Sequence, residues 1–102
     1  MLTDIATRRD QIAALCRRHH VRRLELFGSA ARGTDFDPAR SDLDFLVEFS
    51  ADRPPTLAGF FALEQDLARL LGRPVDLVAP SALRNAYLRA DIARHREVVY
   101  AA

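Results

Sequence analysis

The first half of the chain shows two apolar spacings, one typical of a helix and one typical of a strand. Residues 4–19 are predicted to form a helix, because four apolar side chains fall on one helical face. These side chains are Ile5, Ile12, Leu15 and Cys16. Residues 21–27 alternate leucines with charged residues, which predicts a strand that ends at Gly28 and Ser29. Over 30–40 we expect at most one helical turn, followed by a turn-rich segment.

The clearest strand pattern of the chain covers residues 42–49. One predicted face is apolar and consists of Leu43, Phe45, Val47 and Phe49. The opposite face carries Asp42, Asp44, Leu46 and Glu48. After a proline-containing loop, Thr56 opens a predicted helix over 57–71, which Gly72 ends. Its core stripe is Phe60, Leu63, Leu67, Leu70 and Leu71.

The last third of the chain predicts two short strands separated by a helix. Residues 75–79 form a strand with Val75 and Leu77 on one side and Asp76 on the other. Helical character follows to about Arg94, and residues 97–100 are apolar and β-branched enough for a final strand. Because strands alternate with helices, we expect an α/β or α+β fold, of which we choose α+β, in a single domain, 1–102, with one sheet and helices on one face.

Composition excludes several classes of protein. The 15 basic and 14 acidic residues give a net charge of +1, which does not indicate direct binding to nucleic acid. The single cysteine allows no internal disulfide and no cysteine-based zinc site. The first residues do not resemble a signal peptide, and no stretch approaches a membrane span. We therefore expect a cytoplasmic protein with no membrane partner.

Asp42 and Asp44 are the first candidates for chemistry. Two carboxylates at positions i and i+2 of a strand project from the same face, with Cα atoms about 6.6 Å apart. Oxygen ligands of this kind suit Mg²⁺, which takes one or two carboxylates and completes its shell with water and substrate phosphates. The alternative is an exposed polar strand face, because an isolated pair of this kind is common.

Two further features favour a metal site at Asp42 and Asp44 over an exposed polar strand face. Gly28 and Ser29 form a turn at the end of a strand, where backbone and hydroxyl donors suit phosphate oxygens. Asp76 is the one ionisable residue in an otherwise apolar strand. It is either a third metal ligand or a base toward an incoming hydroxyl, and the alternative is an exposed edge strand.

Together these residues read GSAARG, then SDLDFLV after seven residues, with the strand aspartate at position 76 further on. This pattern resembles the minimal nucleotidyltransferases of the DNA polymerase β superfamily. The matching positions are Gly28, Ser29, Ala31, Arg32, Gly33, Ser41, Asp42, Asp44 and Asp76. The resemblance covers nearly the whole chain, from the first helix to the final strand.

The resemblance implies a polymerase β-like fold, a small mixed β-sheet with flanking helices. It implies that Asp42, Asp44 and Asp76 are catalytic and bind Mg²⁺, with two ions expected. The nucleoside triphosphate would lie against four residues, Gly28, Ser29, Arg32 and Ser41. Arg32 either contacts a phosphate or pairs with a nearby aspartate and holds the turn, and Ser41 caps or orients the strand entry.

The implied reaction moves a nucleoside monophosphate, expected to be AMP from ATP, to a hydroxyl and releases pyrophosphate. Relatives of this size are often encoded beside a HEPN-type toxin and act as its antitoxin, in some cases by modifying a toxin tyrosine with AMP. The competing hypothesis is a binding module that neutralises its partner by occlusion. Antibiotic modification and RNA tailing are weaker readings, because no acceptor domain is predicted. A homo-oligomer is left open.

For three other features the sequence predicts no part in the chemistry. His19-His20 is interpreted as a frayed helix end and not as a metal site, since adjacent helical side chains diverge by about 100°. The paired arginines, Arg22-Arg23 among them, are interpreted as solvated faces, and the alternative is contact with an acidic partner. Glu64 lies beside the core stripe of its helix, and the sequence does not assign it a part in the site.

Overall fold

The computed structural model describes residues 3–28, 42–80 and 96–102. It contains three helices, α1 (Thr3–Thr7), α2 (Arg9–Arg18) and α3 (Leu57–Leu71). It contains four strands, β1 (Val21–Phe27), β2 (Leu43–Phe49), β3 (Val75–Val78) and β4 (Glu97–Ala101). The predicted turn segment over 30–40 and the predicted helix over 81–94 lie outside the described residues.

The four strands form one mixed sheet in the order β3-β2-β1-β4. β1 pairs antiparallel with β2 on one side and with β4 on the other. β2 pairs parallel with β3, which α3 connects to it across one face of the sheet. The small mixed sheet with flanking helices is thus confirmed.

The first predicted helix is in fact two. Between α1 and α2, Arg8 leaves helical geometry at φ −106° and ψ 16°. The Thr7 hydroxyl donates to the Asp4 carbonyl at 3.2 Å, and the Arg8 amide reaches only back to Ile5. Such local bonds compete with the regular i−4 ladder and explain the break. The predicted core face is nevertheless correct, because Ile5, Ile12 and Cys16 are fully buried.

β2 shows the predicted alternation of side chains. Leu43, Phe45 and Val47 are buried against the helices, while Asp44, Leu46 and Glu48 on the opposite face are half-exposed. The predicted start at position 42 was wrong by one residue, because the strand begins at Leu43. Asp42 is the residue immediately before the strand. The amide of the next residue, Leu43, donates a hydrogen bond to the Pro74 carbonyl.

α3 begins and ends where its capping residues predict. The Thr56 hydroxyl accepts a hydrogen bond from the Gly59 amide at 3.0 Å, and Gly72 closes the helix at φ 68°. Leu63, Leu67 and Leu71 of the predicted stripe are buried, whereas Phe60 and Leu70 are half-buried. β3 ends at Val78, one residue earlier than predicted, and β4 continues to Ala101. In the described part of the chain, no helix is long and apolar enough to cross a membrane.

Cys16 lies in this core, and burial raises the pKa of its thiol to about 12 against a smaller lowering by Arg17. An unfolded chain ionises its thiol near pH 8.5. Below that pH the thiol is protonated in both the folded and the unfolded chain, so its burial does not make the free energy of unfolding depend on pH. Above it, the free energy of unfolding falls by about 1.4 kcal/mol per pH unit, until the folded thiol also ionises.

Cys16→Val should remove that slope. Denaturant unfolding of both proteins at pH 8 and pH 10 checks this, and groups that titrate elsewhere cancel in the comparison. Equal pH dependence of wild type and variant would show that the thiol is not protected.

Candidate functional site

The parallel ladder between β2 and β3 places Asp44 directly opposite Asp76. Paired residues of neighbouring strands point to the same face, with Cα atoms about 4.8 Å apart. Both side chains therefore leave the sheet on the face opposite α3. Asp44 is half-buried in the inner strand and Asp76 is exposed on the outer one.

Asp42 adds a third carboxylate near the same end of the sheet. It is exposed and lies two residues before Asp44, one residue ahead of β2. Within residues 3–28, 42–80 and 96–102, no three acidic, histidine or cysteine side chains enclose a site for a metal ion. Asp44 and Asp76 thus share one face of the sheet, and Asp42 lies at the same end. These three residues, called the carboxylate row below, do not form a closed cage.

Gly28 lies beside the carboxylate row, and the need for glycine at this position has a reason that the sequence did not show. It follows β1 at φ +73°, next to Phe27, which pairs with Asp44. A Cβ at this position would stand 3.3 Å from the Asp44 Cγ and would overlap its Oδ2. The sequence predicted that the glycine lets a ligand approach the backbone. The structure shows that it makes room for the Asp44 carboxylate.

Glu64 joins α3 to the strand that carries Asp76. Its Oε2 accepts a hydrogen bond from the Leu77 amide at 3.1 Å. Leu77 follows Asp76 directly and is buried against α3. The half-buried carboxylate thus supports the outer strand of the site.

The structure also reveals a buried charge that sequence reasoning missed. Glu25 is only 3% exposed, and it lies on the same face of the sheet as Asp44. Arg23 Nε bonds its Oε1, and Arg96 Nε lies 3.5 Å from its Oε2. The Arg23 side chain is 40% exposed, but it also pairs with the buried Glu25, which the sequence did not predict. Its spacing of two residues from Glu25 was a usable signal, whereas the approach of Arg96 depends on the pairing of β1 with β4.

Each of the two histidines at the end of α2 has a side-chain contact. His19 caps α2, and its Nε2 lies 3.0 Å from Asp66 Oδ2 on α3. His20 has a positive φ of 59°, and its Nε2 lies 3.4 Å from Arg53 Nη1.

A cavity of about 240 Å³ lies beside these histidines and extends to Phe49 at the far end of β2. Five residues of extended strand, about 17 Å, separate Phe49 from Asp44. The cavity is therefore remote from the carboxylate row.

Ser29, Arg32 and Ser41, the other predicted nucleotide contacts, lie outside the described residues. The described carboxylates alone offer hard oxygen donors in the number that Mg²⁺ takes from proteins when phosphates and water supply the rest. The donor set thus fits a divalent cation with a bound triphosphate.

Comparisons with known proteins agree with this geometry. The Nucleotidyltransferase domain family model matches residues 8–99. The chain is 41% identical over 83 residues to the protein adenylyltransferase MntA of Thermococcus cleftensis, covering 81% of this chain and 77% of that protein. It is also similar to the solved structure of a candidate minimal nucleotidyltransferase, with 38% identity and a TM-score of 0.70 over 90% of this chain and 89% of that one.

A third similarity is to a chain in the complex of tri-AMPylated Shewanella oneidensis HEPN toxin with MNT antitoxin. Its TM-score is 0.66 at 20% identity, over 96% of this chain and 73% of that one, and it supports the fold alone. The family match covers most of the sequence. The chain therefore belongs to the Nucleotidyltransferase domain family and is a nucleotidyltransferase.

Proposed function

We propose that this chain is a Mg²⁺-dependent protein adenylyltransferase that transfers AMP from ATP to a hydroxyl of a HEPN-type toxin and so acts as its antitoxin. The observation that carries the proposal is the register of Asp44 with Asp76, with Asp42 just before them at the same end of the sheet. Both ATP and such a partner would be met in the cytoplasm.

Asp42 and Asp44 would hold Mg²⁺ together with the phosphates of ATP, and three carboxylates suit two ions. Mg²⁺ held there would supply positive charge for a displacement at phosphorus and would relieve the repulsion between carboxylates on neighbouring strands.

Asp76 differs from the other two because it stands on the outer strand, where an acceptor can approach. We assign it the acceptor side of the site. There it completes the carboxylate set and takes the proton of the acceptor hydroxyl. The hydroxyl oxygen forms a bond to the α-phosphorus, the bond from that phosphorus to the β-phosphate oxygen breaks, and pyrophosphate leaves.

The phosphate end of ATP would extend toward the turn after β1. Gly28 keeps the Asp44 carboxylate in place there. Ser29, Arg32 and Ser41 remain our predicted contacts to the nucleotide.

Support for a protein acceptor comes from the relatives. The Thermococcus cleftensis protein named a protein adenylyltransferase is 41% identical, and it is matched over most of both chains. The complex of AMPylated HEPN toxin with MNT antitoxin has a chain of the same fold. A partner that carries the acceptor hydroxyl is consistent with the exposure of Asp76 on the outer strand.

The test mixes the purified chain, Mg²⁺, α-labelled ATP and the HEPN-type protein encoded beside it. We expect label on the partner with wild type and none with Asp44→Asn. Asp52→Asn is the matched control, because it makes the same change in an exposed loop after β2. The label should then survive in Asp52→Asn, and mass mapping locates the acceptor hydroxyl.

A tight complex that carries no label with any nucleoside triphosphate would refute the transferase proposal. In that case Asp44→Asn should still neutralise the partner, which would identify occlusion as the mechanism. Thermal melting of each variant shows that the fold is intact.

A further inference from the structure

β3 is the outer strand of the described sheet and has only four residues, yet it carries Asp76. Its inner side pairs with β2, beginning with the hydrogen bond from the Leu43 amide to the Pro74 carbonyl. In a parallel ladder the amides of a strand point alternately to its two sides. The amides of Asp76 and Val78 thus face β2, and the Leu77 amide faces outward.

Glu64 accepts a hydrogen bond from the outward-facing amide of Leu77. Its Oε2 lies 3.1 Å from the Leu77 nitrogen, a charge-assisted hydrogen bond in the place where a further strand would otherwise bond. The helix that presents it is fixed, because the neighbouring Leu63 and Leu67 are fully buried. The bond therefore ties β3 to a rigid support at one peptide beyond Asp76.

We propose that Glu64 is a positioning residue for Asp76: by holding the Leu77 amide, it keeps β3 in the register that sets Asp76 opposite Asp44. This inference rests on the proposed function and adds a residue to the machinery. A slip of one residue would turn Asp76 to the helix-covered face, so the register decides whether the third carboxylate is in the site at all. Within the described residues the short strand β3 pairs with β2 alone, and few other bonds there resist such movement.

The experiment compares Glu64→Ala and Glu64→Gln with wild type. Glu64→Gln retains an oxygen that can accept from the Leu77 amide, whereas Glu64→Ala removes it. Gln65→Ala is the matched control, since it truncates the next, exposed residue of the same helix. If Glu64→Ala does not fold, Glu64→Met keeps most of the side-chain volume without the oxygen and takes its place. All measurements are made well below the melting temperature of each variant.

Four quantities are measured: exchange of the Leu77 amide by NMR, Mn²⁺ affinity in the presence of a non-hydrolysable ATP analogue, and kcat and KM for the partner protein. Glu64→Ala should exchange the Leu77 amide about tenfold faster, as expected for loss of a hydrogen bond to a charged group. Its Mn²⁺ affinity should fall about tenfold, the effect typical of residues that orient metal ligands. The loss of activity should be mainly in kcat. Glu64→Gln should restore most of the Mn²⁺ affinity and most of kcat.

Faster exchange at Leu77 with unchanged Mn²⁺ affinity and kcat would overturn the inference, because Glu64 would then serve stability alone. Unchanged exchange in Glu64→Ala would overturn it too. If wild type itself neither binds Mn²⁺ with the analogue nor labels its partner, the proposed function fails and the inference falls with it. That outcome is distinguishable, because the fault then lies in wild type and not in the Glu64 variants.

Discussion

Replacing Gly28 by alanine is expected to lower the rate of AMP transfer by at least about a hundredfold while the sheet stays folded. The new Cβ would overlap Asp44 Oδ2 and stand 3.3 Å from its Cγ, so that the carboxylate must leave its present place. Displacement of a catalytic group by about 1 Å is enough for a loss of this size. The positive φ of 73° adds backbone strain of about 1–2 kcal/mol.

Gly72→Ala provides the matched control for this variant. Gly72 has nearly the same φ, 68°, but no atom lies within 4 Å of the Cβ that alanine would add. Both variants should lose free energy of unfolding through this backbone strain, and Gly28→Ala should lose more because Asp44 must also move. Only Gly28→Ala should lose kcat/KM, and an equal loss of rate in both would attribute the effect to strain instead of the displaced Asp44 carboxylate.

The largest loss of stability is expected when Glu25 loses the two arginines that pair with it within the described residues. Its side chain is 4% exposed, while those of Arg23 and Arg96 are 40% and 48% exposed. The double variant Arg23→Gln/Arg96→Gln removes these two positive charges from a buried carboxylate. The expected cost is about 3 kcal/mol, the lower end of the range for breaking a buried ion pair, because both arginines already contact water. Denaturant unfolding of the double variant and wild type measures it.

A third change tests the cause of that loss. Adding Glu25→Gln to the double variant removes the buried charge and should recover most of the lost stability. Glu25→Gln alone should cost less than the double arginine variant, since half-exposed arginines can be hydrated. Additive losses across this cycle would contradict the buried-charge explanation and indicate independent packing effects.

Most of the sheet and of α3 could be predicted from local signals. Alternation in 42–49 identified which side chains face the helices, and Thr56 and Gly72 marked the ends of α3 because caps act within one turn. The break at Arg8 could not be predicted from periodicity, because Ile5 and Ile12 keep the core face through it. It depends on the bond of Thr7 to the Asp4 carbonyl, which competes locally with the helix.

In the candidate site, too, some features could be predicted from local spacing and others depend on tertiary structure. Spacing alone placed Asp42 and Asp44 on one side of a strand, but the register that brings Asp76 opposite Asp44 is a tertiary property. The support from Glu64 joins residues 13 positions apart in different elements, and the ion pair of Arg96 with Glu25 requires the β1–β4 pairing. Contacts of this kind leave no periodic trace in a single sequence.

The strand order also bears on how the chain folds as the ribosome makes it. β1, β2, α3 and β3 are complete by residue 78, and the segment 21–78 also contains Asp42, Asp44 and Asp76. β1 lies inside the finished sheet, yet its second neighbour is β4, whose pairing joins Arg23 to Ala101. The carboxylate half can therefore assemble first, while one side of β1 stays open to other strands until the last residues emerge. A nascent chain stalled before residue 97 would expose that open side and be prone to aggregation.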